Sequence, residues 1–314
     1  MNQPGSARTS EAGVTIIGPG RLGQAMGKLL NQAGVPVLFV AARRLAAARR
    51  AVRFIGQGTP IDLNDPRLAK APVILLTTAD AALAEVAEAL ASRYGDWRGK
   101  VALHTCGSLP ATVLEPLQRR GAAIGSLHPF QTIPNPAAGV RNLKGCYWSI
   151  EGDAAARIVA ARWVAALDGV AFPVRPSQKT LYHAAAFLVC PTVVTLMDRS
   201  VRLLKRAGVP ASIARPMLGR FVAETAGNFA KLGGRRALTG PAVRGDWPTI
   251  ERHLAALRRF SPEVVPVYRA LLRAMLRLAG RRWPAVRSRE SGVRRQKGEH
   301  RYMISLREAR QQRS

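Results

Sequence analysis

Apolar residues in the first half of the chain occur in short buried runs that alternate with helical periodicities. The run 14–17 has the composition of a buried strand, and the glycine-rich segment 18–23 separates it from a helical pattern at Gln24–Ala33. A second strand is predicted at Val37–Ala41. Strand, turn, helix and strand together span about 30 residues, which is the length of a βαβ unit.

The same alternation continues to residue 174. Helices are predicted at 45–55, 80–94 and 154–167, and strands at 73–78, 101–105, 124–127, 147–150 and 170–174. Alternating strands and helices predict an α/β fold with a mostly parallel, doubly wound sheet.

The second half of the chain has helical periodicity alone. Helices are predicted at 177–207, 213–232, 249–259 and 262–279. We therefore predict an α/β domain over 13–175 and an all-α C-terminal domain over 176–280, with a boundary near residue 175. The polar ends, 1–12 and 281–314, are predicted to be disordered.

The charge balance is strongly basic, with 48 Lys and Arg against 19 Asp and Glu and a formal net charge of +29. Such a balance is typical of nucleic-acid-binding proteins. Here 40 of the 48 basic residues are arginine, and they are spread along the chain without interleaved aromatic residues. A solvating role is the simplest interpretation of the dense basic tail. We therefore do not expect a nucleic-acid partner.

Cysteine and histidine usage excludes two further classes of protein. The three cysteines form no CxxC pair, and the five histidines form no HxxxH motif, so neither a disulfide scaffold nor a metal site is expected. The first dozen residues lack an apolar signal region, and the apolar run 184–197 is shorter than a membrane span. We expect a cytoplasmic protein without a membrane partner.

The glycine-rich segment predicts a dinucleotide site because it follows a strand and opens a helix. The first glycine allows a tight turn, the second lets the backbone approach a pyrophosphate, and the third allows close helix–strand packing. The predicted cofactor-binding residues of this segment are Gly18, Pro19, Gly20, Arg21, Leu22 and Gly23. Thr77 and Thr78, at the end of the strand 73–78, are predicted to line the same cofactor.

The end of the second strand favours NADP over NAD. An NAD site needs an acidic residue about 20 residues after the glycine turn, to bind the ribose hydroxyls. The chain has no acidic residue between Glu11 and Asp62, and Arg43 and Arg44 follow the strand. Guanidinium groups bind a 2′-phosphate well, so these two arginines are predicted to contact NADP.

Several longer motifs together resemble a known family. They are Gly18–Gly23, Asp80, His104–Ser108, Gly125–Thr132, Lys179–Ala186 and Ala237–Asp246. Together they resemble the proteins that join a Rossmann-like domain to a DUF2520 domain. These are similar to the superfamily of β-hydroxyacid dehydrogenases, 6-phosphogluconate dehydrogenase, ketopantoate reductase and pyrroline-5-carboxylate reductase.

The chain departs from the family pattern at two positions. Cys106 stands where the strand-end motif usually has a serine, and Cys190-Pro191 stand where the long helix usually has a Ser-Asn pair. Both changes remove polar groups that the resemblance places near the substrate, and Pro191 is expected to kink the helix.

The candidate catalytic residues are Lys179, His183 and His128. Lys179 lies in the first turn of a predicted helix, where the helix dipole lowers the pKa of a lysine toward the range of a general acid. The resemblance implies that this lysine donates a proton to the substrate oxygen. His183 lies four residues later on the same helix face, and His128 follows a predicted strand at the carboxyl edge of the sheet.

Three further residues are candidate substrate contacts. Thr105 and Ser108 end a strand beside the predicted cofactor site. Arg244 is predicted to hold a substrate carboxylate.

The residues and the resemblance together predict an NADPH-dependent reductase of a small carbonyl compound, a 2-oxo acid such as ketopantoate. One alternative is an imine reductase resembling pyrroline-5-carboxylate reductase. Another is an NADP-binding sensor or scaffold without catalysis. The resemblance also implies a helical domain like that of 6-phosphogluconate dehydrogenase and a homodimer.

Overall fold

The computed structural model describes residues 13–283, which form two compact units that divide between Leu196 and Met197. The predicted disordered ends lie outside the described residues, apart from 281–283. The predicted domain boundary near residue 175 follows the end of the sheet, whereas the division between the units falls inside a long helix. The domain limits inferred from the sequence stay a prediction.

The first unit contains an eight-stranded sheet. Its strands are β1 (Val14–Ile17), β2 (Val37–Ala41), β3 (Thr59–Ile61), β4 (Val73–Leu76), β5 (Val101–His104), β6 (Ala123–Pro129), β7 (Tyr147–Gly152) and β8 (Val170–Pro173). Its helices are α1 (Arg21–Gln32), α2 (Leu45–Ile55), α3 (Leu83–Arg93), α4 (Glu115–Gln118), α5 (Pro136–Asn142) and α6 (Ala154–Ala166).

The strand order is β3-β2-β1-β4-β5-β6-β7-β8. Every neighbouring pair is parallel except β6 and β7, which are antiparallel. The predicted doubly wound, mostly parallel sheet is therefore confirmed. The order reverses between β1 and β4, and ligands of such sheets bind beside this point, at the carboxyl ends of the strands.

Apolar cores cover both faces of the sheet. One core includes Met26 and Trp163, and the other includes Trp97 and Leu90. Strands buried on both faces need continuous apolar runs, which is why the pattern along β1 and β4 shows no alternation.

The helix α7 (Lys179–Arg206) is divided between the two units. It continues through Pro191, which cannot donate a hydrogen bond to the carbonyl of Phe187. The hydroxyl of Thr192 donates to this carbonyl instead, at 3.1 Å, so the carbonyl keeps a partner.

The second unit is helical in its described residues. It contains α8 (Ala211–Ala237), α9 (Pro241–Arg244), α10 (Trp247–Phe260) and α11 (Val265–Leu278). A small core forms around Ile250, Leu254, Leu272 and Leu276. Asp246 caps α10 by accepting a hydrogen bond from the Thr249 backbone, at 3.2 Å. The predicted helical C-terminal region is thus confirmed.

Among residues 13–283, the helical segment Pro176–Arg206 is long and apolar enough to cross a membrane by length and composition alone. None of its most apolar window is buried. The apolar run 184–197 therefore belongs to a longer apolar segment than the sequence pattern indicates.

Candidate active site

The glycine turn joins β1 to α1 and has the geometry that the sequence predicts. Gly18 has a φ of +77°, and a Cβ at this position would lie 2.6 Å from Cγ2 of Thr78. A Cβ on Gly23 would overlap Oγ1 of Thr77. Gly20, the N-cap residue of α1, has open space beside its Cα. The turn thus requires glycine at its first and third positions and leaves room for a ligand at the second.

Two threonines after β4 face the same turn. The hydroxyl of Thr77 lies 3.1 Å from the Ile17 carbonyl oxygen and 2.7 Å from that of Gly18. The hydroxyl of Thr78 is buried and has no hydrogen-bond partner among residues 13–283. A buried unpaired hydroxyl costs about 1–3 kcal/mol, so Thr78 is available to a polar ligand beside the turn.

A cavity of about 1010 Å³ opens beside the turn. Seven of the ten predicted cofactor residues line it: Gly18, Pro19, Gly20, Arg43, Arg44, Thr77 and Thr78. The side chains of Arg43 and Arg44 are exposed, and within the described part of the chain they have no ion-pair or hydrogen-bond partner. Two free guanidinium groups at the end of β2 can hold a phosphate.

The other three predicted cofactor residues do not line the cavity. Arg21 extends toward the carbonyl oxygen of Pro134, at 3.5 Å. Leu22 packs against the core, and Gly23 is buried beside Thr77. These residues begin α1, and the backbone N–H groups of this segment lie near the start of the helix.

The loop 105–108 follows β5 at the same edge of the sheet. The Cys106 thiol is buried, and its sulfur accepts the backbone N–H groups of Ser108 and Leu109, at 3.4 and 3.3 Å. A serine hydroxyl could accept the same bonds. The hydroxyl of Ser108 lies 3.5 Å from a carboxylate oxygen of Asp80, and Thr105 is buried.

His128 and His183 converge on this loop. A Cβ on Gly107 would lie 2.6 Å from Cδ2 of His183 and 2.7 Å from Nε2 of His128. The two imidazole rings meet edge to face, with centroids 5.7 Å apart. The structure therefore brings two predicted catalytic residues together at the carboxyl end of β5, beside the strand whose end lines the cavity.

Lys179 is buried behind the loop and is only 1% exposed. Its Nζ donates to the carbonyl oxygen of Cys106, at 3.0 Å, and to the hydroxyl of Ser126. It also lies 3.7 Å from Oε1 of Glu151, which accepts the backbone N–H of Ala111. Among the described residues, the ammonium group thus has two hydrogen-bond acceptors and one ion-pair partner, and it is enclosed by protein.

Burial sets the protonation of the ionisable groups at this edge. Burial, reinforced by the positive charge of Lys179, lowers the pKa of His104 to about 3 and that of His128 to about 4. Burial also lowers the pKa of Lys179 and raises that of Glu151, while the attraction between the two groups opposes both shifts. His104 and His128 are therefore neutral near pH 7.

Tyr182 belongs to the site and is not among the predicted residues. Its hydroxyl lies 2.9 Å from Nδ1 of His128. Its ring also packs against Phe130 and Phe172, with centroid distances of 5.6 and 6.0 Å. The position of Tyr182 between Lys179 and His183 on α7 was the available sequence signal.

Arg244, the predicted carboxylate clamp, lies in the second unit. It is the last residue of α9, and its side chain is exposed. Its contact with a substrate stays a prediction.

Two family models match different parts of the chain. A model of a Rossmann-like domain matches residues 1–129, and a model of a domain of unknown function, DUF2520, matches residues 146–275. No curated protein sequence matches the chain.

Several solved structures have the same fold. A protein from Bacteroides fragilis that is described as an NADP oxidoreductase is 25% identical, with a TM-score of 0.66, over 85% of this chain and 98% of its own. A reductive aminase from Aspergillus terreus, solved with NADPH and ethyl-5-oxohexanoate, is 19% identical, with a TM-score of 0.63, over 85% of this chain and 94% of its own. A pyrroline-5-carboxylate reductase from Coxiella burnetii is 16% identical, with a TM-score of 0.56, over 86% of this chain and 97% of its own.

The two domain models and the order of strands and helices agree with each other along the chain. Taken together, the two matches make the chain similar to proteins that join a Rossmann-like domain to a DUF2520 domain.

Proposed function

We propose that the protein is an NADPH-dependent reductase of a small carbonyl compound. The observation that carries this proposal is the cavity beside the glycine turn, which is lined by an unpaired buried hydroxyl and two unpaired arginines. The similarity to a protein described as an NADP oxidoreductase supports the same cofactor.

The residues of the cavity fit NADP part by part. The turn at Gly18–Gly20 and the start of α1 would bind the pyrophosphate through backbone N–H groups. Arg43 and Arg44 would bind the 2′-phosphate, and Thr78 would donate its free hydroxyl to the cofactor. When bound, the reduced nicotinamide supplies a hydride. The absence of an acidic residue at the end of β2 leaves nothing there to repel a phosphate.

The loop 105–108 and the two histidines would form the substrate side of the site. Gly107 lets His128 and His183 approach the loop closely, and Thr105 and Ser108 flank it. A small carbonyl compound fits this arrangement, since an imidazole N–H can donate a hydrogen bond to its oxygen. The more specific prediction of the substrate rests on the sequence. It is a 2-oxo acid such as ketopantoate, whose carboxylate Arg244 would hold.

We assign Lys179 a positioning role that differs from the predicted role of proton donor. Two of its N–H bonds are directed at Cys106 and Ser126, and its charge faces the carboxylate of Glu151 at 3.7 Å. A donor to the substrate would need a free N–H that reaches the site. The buried ion pair instead fixes the first turn of α7 to the ends of β5, β6 and β7, and so places His183.

A second candidate function is reduction of an imine. Asp80 has an exposed carboxylate beside the hydroxyl of Ser108, at the substrate side of the loop. A negative charge there suits a protonated imine, which needs no further proton when the hydride arrives.

The test is NADPH oxidation at 340 nm with NADH as the control, against a panel that includes ketopantoate and pyrroline-5-carboxylate. We expect turnover of a carbonyl compound with a preference for NADPH. Turnover of imines alone would establish the second candidate. NADPH binding without turnover of any compound would contradict both and favour the sensor or scaffold alternative.

We also propose that the protein is a homodimer. Exposed apolar side chains lie along α7 and α8, including Phe187, Leu188, Phe221 and Phe229, each more than 60% exposed. A soluble monomer rarely leaves so many large apolar groups in water. Analytical ultracentrifugation of the full chain should give twice the monomer mass. A monomer that binds lipid vesicles would overturn the proposal.

A further inference from the structure

The contact between Tyr182 and His128 has no role in the function proposed above. The hydroxyl of Tyr182 meets Nδ1 of the imidazole at 2.9 Å, and the ring centroids are 5.5 Å apart. On the other side of the imidazole ring, Nε2 of His128 has no hydrogen-bond partner within residues 13–283. This nitrogen borders Gly107, so His128 presents a free ring nitrogen toward the loop where the substrate is proposed to bind.

The chemistry of the pair determines which ring nitrogen carries the proton. Burial keeps His128 neutral near pH 7, since its pKa is about 4, and burial raises the pKa of Tyr182. A neutral phenol is a better hydrogen-bond donor than acceptor, so we infer that the Tyr182 hydroxyl donates to Nδ1 across the 2.9 Å contact. The imidazole proton then lies on Nε2, which faces the loop.

We propose that Tyr182 and His128 form the proton relay of the reductase, an inference that rests on the proposed function. His128 donates from Nε2 to the substrate oxygen, and Tyr182 acts through His128 as the positioning residue that fixes its tautomer and replaces its proton. This assignment supplies the proton that Lys179, with its ammonium group enclosed by protein, does not present.

The relay balances at every atom. As the substrate carbon receives the hydride, its oxygen takes the proton from Nε2, forming an O–H bond and breaking the N–H bond. The phenol proton of Tyr182 moves to Nδ1 at the same time, which leaves a phenolate. After the product leaves, Nε2 takes a proton from solvent and Nδ1 returns its proton to the phenolate, so the pair begins the next turnover with Nε2–H and a neutral phenol. A phenol is a stronger acid than the alcohol product, so the overall transfer is favourable.

The surroundings of Tyr182 suit this role. Phe130 and Phe172 pack against its ring and restrict its orientation. The charges that face His128 are those of Lys179 and His183, which disfavour its protonation, and of Asp80, which favours it. Burial and the positive charges together outweigh Asp80, so the imidazole stays in the neutral form that a relay between tautomers requires.

The test uses the full chain and the variant Tyr182→Phe. The matched control is Tyr268→Phe, which removes the same hydroxyl from Nδ1 of His253, a pair with a 3.0 Å contact and rings 6.1 Å apart in the second unit. We expect ¹⁵N NMR of the ligand-free wild type to show the Nε2–H tautomer at His128. Tyr182→Phe should show both tautomers there, and the control should leave His128 unchanged.

Kinetics supply the second readout. We expect Tyr182→Phe to lower kcat for a carbonyl substrate by about 100-fold, the range of general acid catalysis, with KM for NADPH unchanged. The variant His128→Gln should lower kcat by a similar factor, and adding Tyr182→Phe to it should lower kcat no further. An unchanged kcat in Tyr182→Phe, or an Nδ1–H tautomer in the wild type, would overturn the relay.

Different results would overturn the proposed reductase function and the proton relay. A wild type that does not bind NADPH overturns the proposed function and the relay with it. A wild type that turns over carbonyl substrates while Tyr182→Phe matches the control overturns only the relay.

Discussion

Cys106 shows how one residue of the site can depart from a family pattern without removing a functional group. Its sulfur accepts two backbone N–H bonds inside the loop, and the thiol is buried. The pattern of the sequence places a polar side chain near the substrate at this position. The structure assigns the side chain to the turn, and the residue contributes its carbonyl oxygen to Lys179.

Lys179 and Glu151 form a buried ion pair. Replacing Lys179 alone should destabilise the protein, whereas replacing both residues together should be tolerated. Lys179→Met leaves an uncompensated buried carboxylate and should lower the free energy of unfolding by about 3–5 kcal/mol. The double variant Lys179→Met/Glu151→Gln removes both charges, and its amide oxygen can still accept the N–H of Ala111. Urea unfolding should show that the double variant recovers much of the loss.

The same double variant separates a positioning role from proton donation. If it folds and retains most of the kcat, Lys179 is not the proton donor, and its charge serves only the stability of the fold. A folded double variant with no detectable turnover would instead restore Lys179 to the predicted role of proton donor.

At the scale of single residues, the sequence identifies Lys179, His128 and His183 because their positions follow predicted elements. It does not identify Tyr182, since the partners of its ring lie on β6 and β8 and only folding brings them together. The burial of Lys179 is likewise invisible in the sequence, because a lysine in a first helical turn is ordinarily solvated.

At the scale of elements, β2 and the segment that follows it decide the choice of cofactor. The exposed and unpaired Arg43 and Arg44 extend from the end of β2 into the cavity wall. The double variant Arg43→Glu/Arg44→Glu should weaken NADPH binding by at least about 100-fold, because two charge-assisted contacts to a phosphate are replaced by repulsion. NADH binding should change by a much smaller factor.

The control for this experiment is Arg49→Glu/Arg50→Glu, which makes the same change in charge on exposed residues of α2 outside the cavity. Fluorescence titration with both nucleotides measures the effect. An equal loss in the two double variants would show that overall charge, and not a phosphate contact, determines affinity.

The elements that the sequence missed are short or depend on distant pairing. β3 has three residues, including Pro60, and lies at the edge of the sheet, where a proline is tolerated. The antiparallel pairing of β6 with β7 depends on the connection through α5, whose seven residues show little periodicity. Elements with a clear apolar pattern, such as the continuous run of β1 and the amphipathic α2, were predicted at their observed bounds.

At the scale of the whole molecule, two buried neutral histidines couple folding to pH. His104 accepts the N–H of Cys106 at Nδ1 and donates from Nε2 to the carbonyl of Pro110, so both nitrogens are used by the neutral ring. Protonation at Nδ1 would break the first bond and place a charge in the core.

Stability should therefore fall as the pH is lowered from neutrality. The folded pKa values of His104 and His128 are about 3 and about 4, below the value of 6.5 for an unfolded histidine. Above pH 6.5 both states are neutral and stability is fully present. Between pH 6.5 and pH 4 the unfolded state binds more protons than the folded state. Each histidine therefore lowers the free energy of unfolding by up to about 1.4 kcal/mol for each pH unit of acidification. Urea unfolding at pH 7.5, 6 and 5 measures the slope, and His104→Gln should reduce it even though it lowers stability at pH 7.5. A slope that is the same in wild type and variant would show that His104 is not neutral and buried in the folded protein.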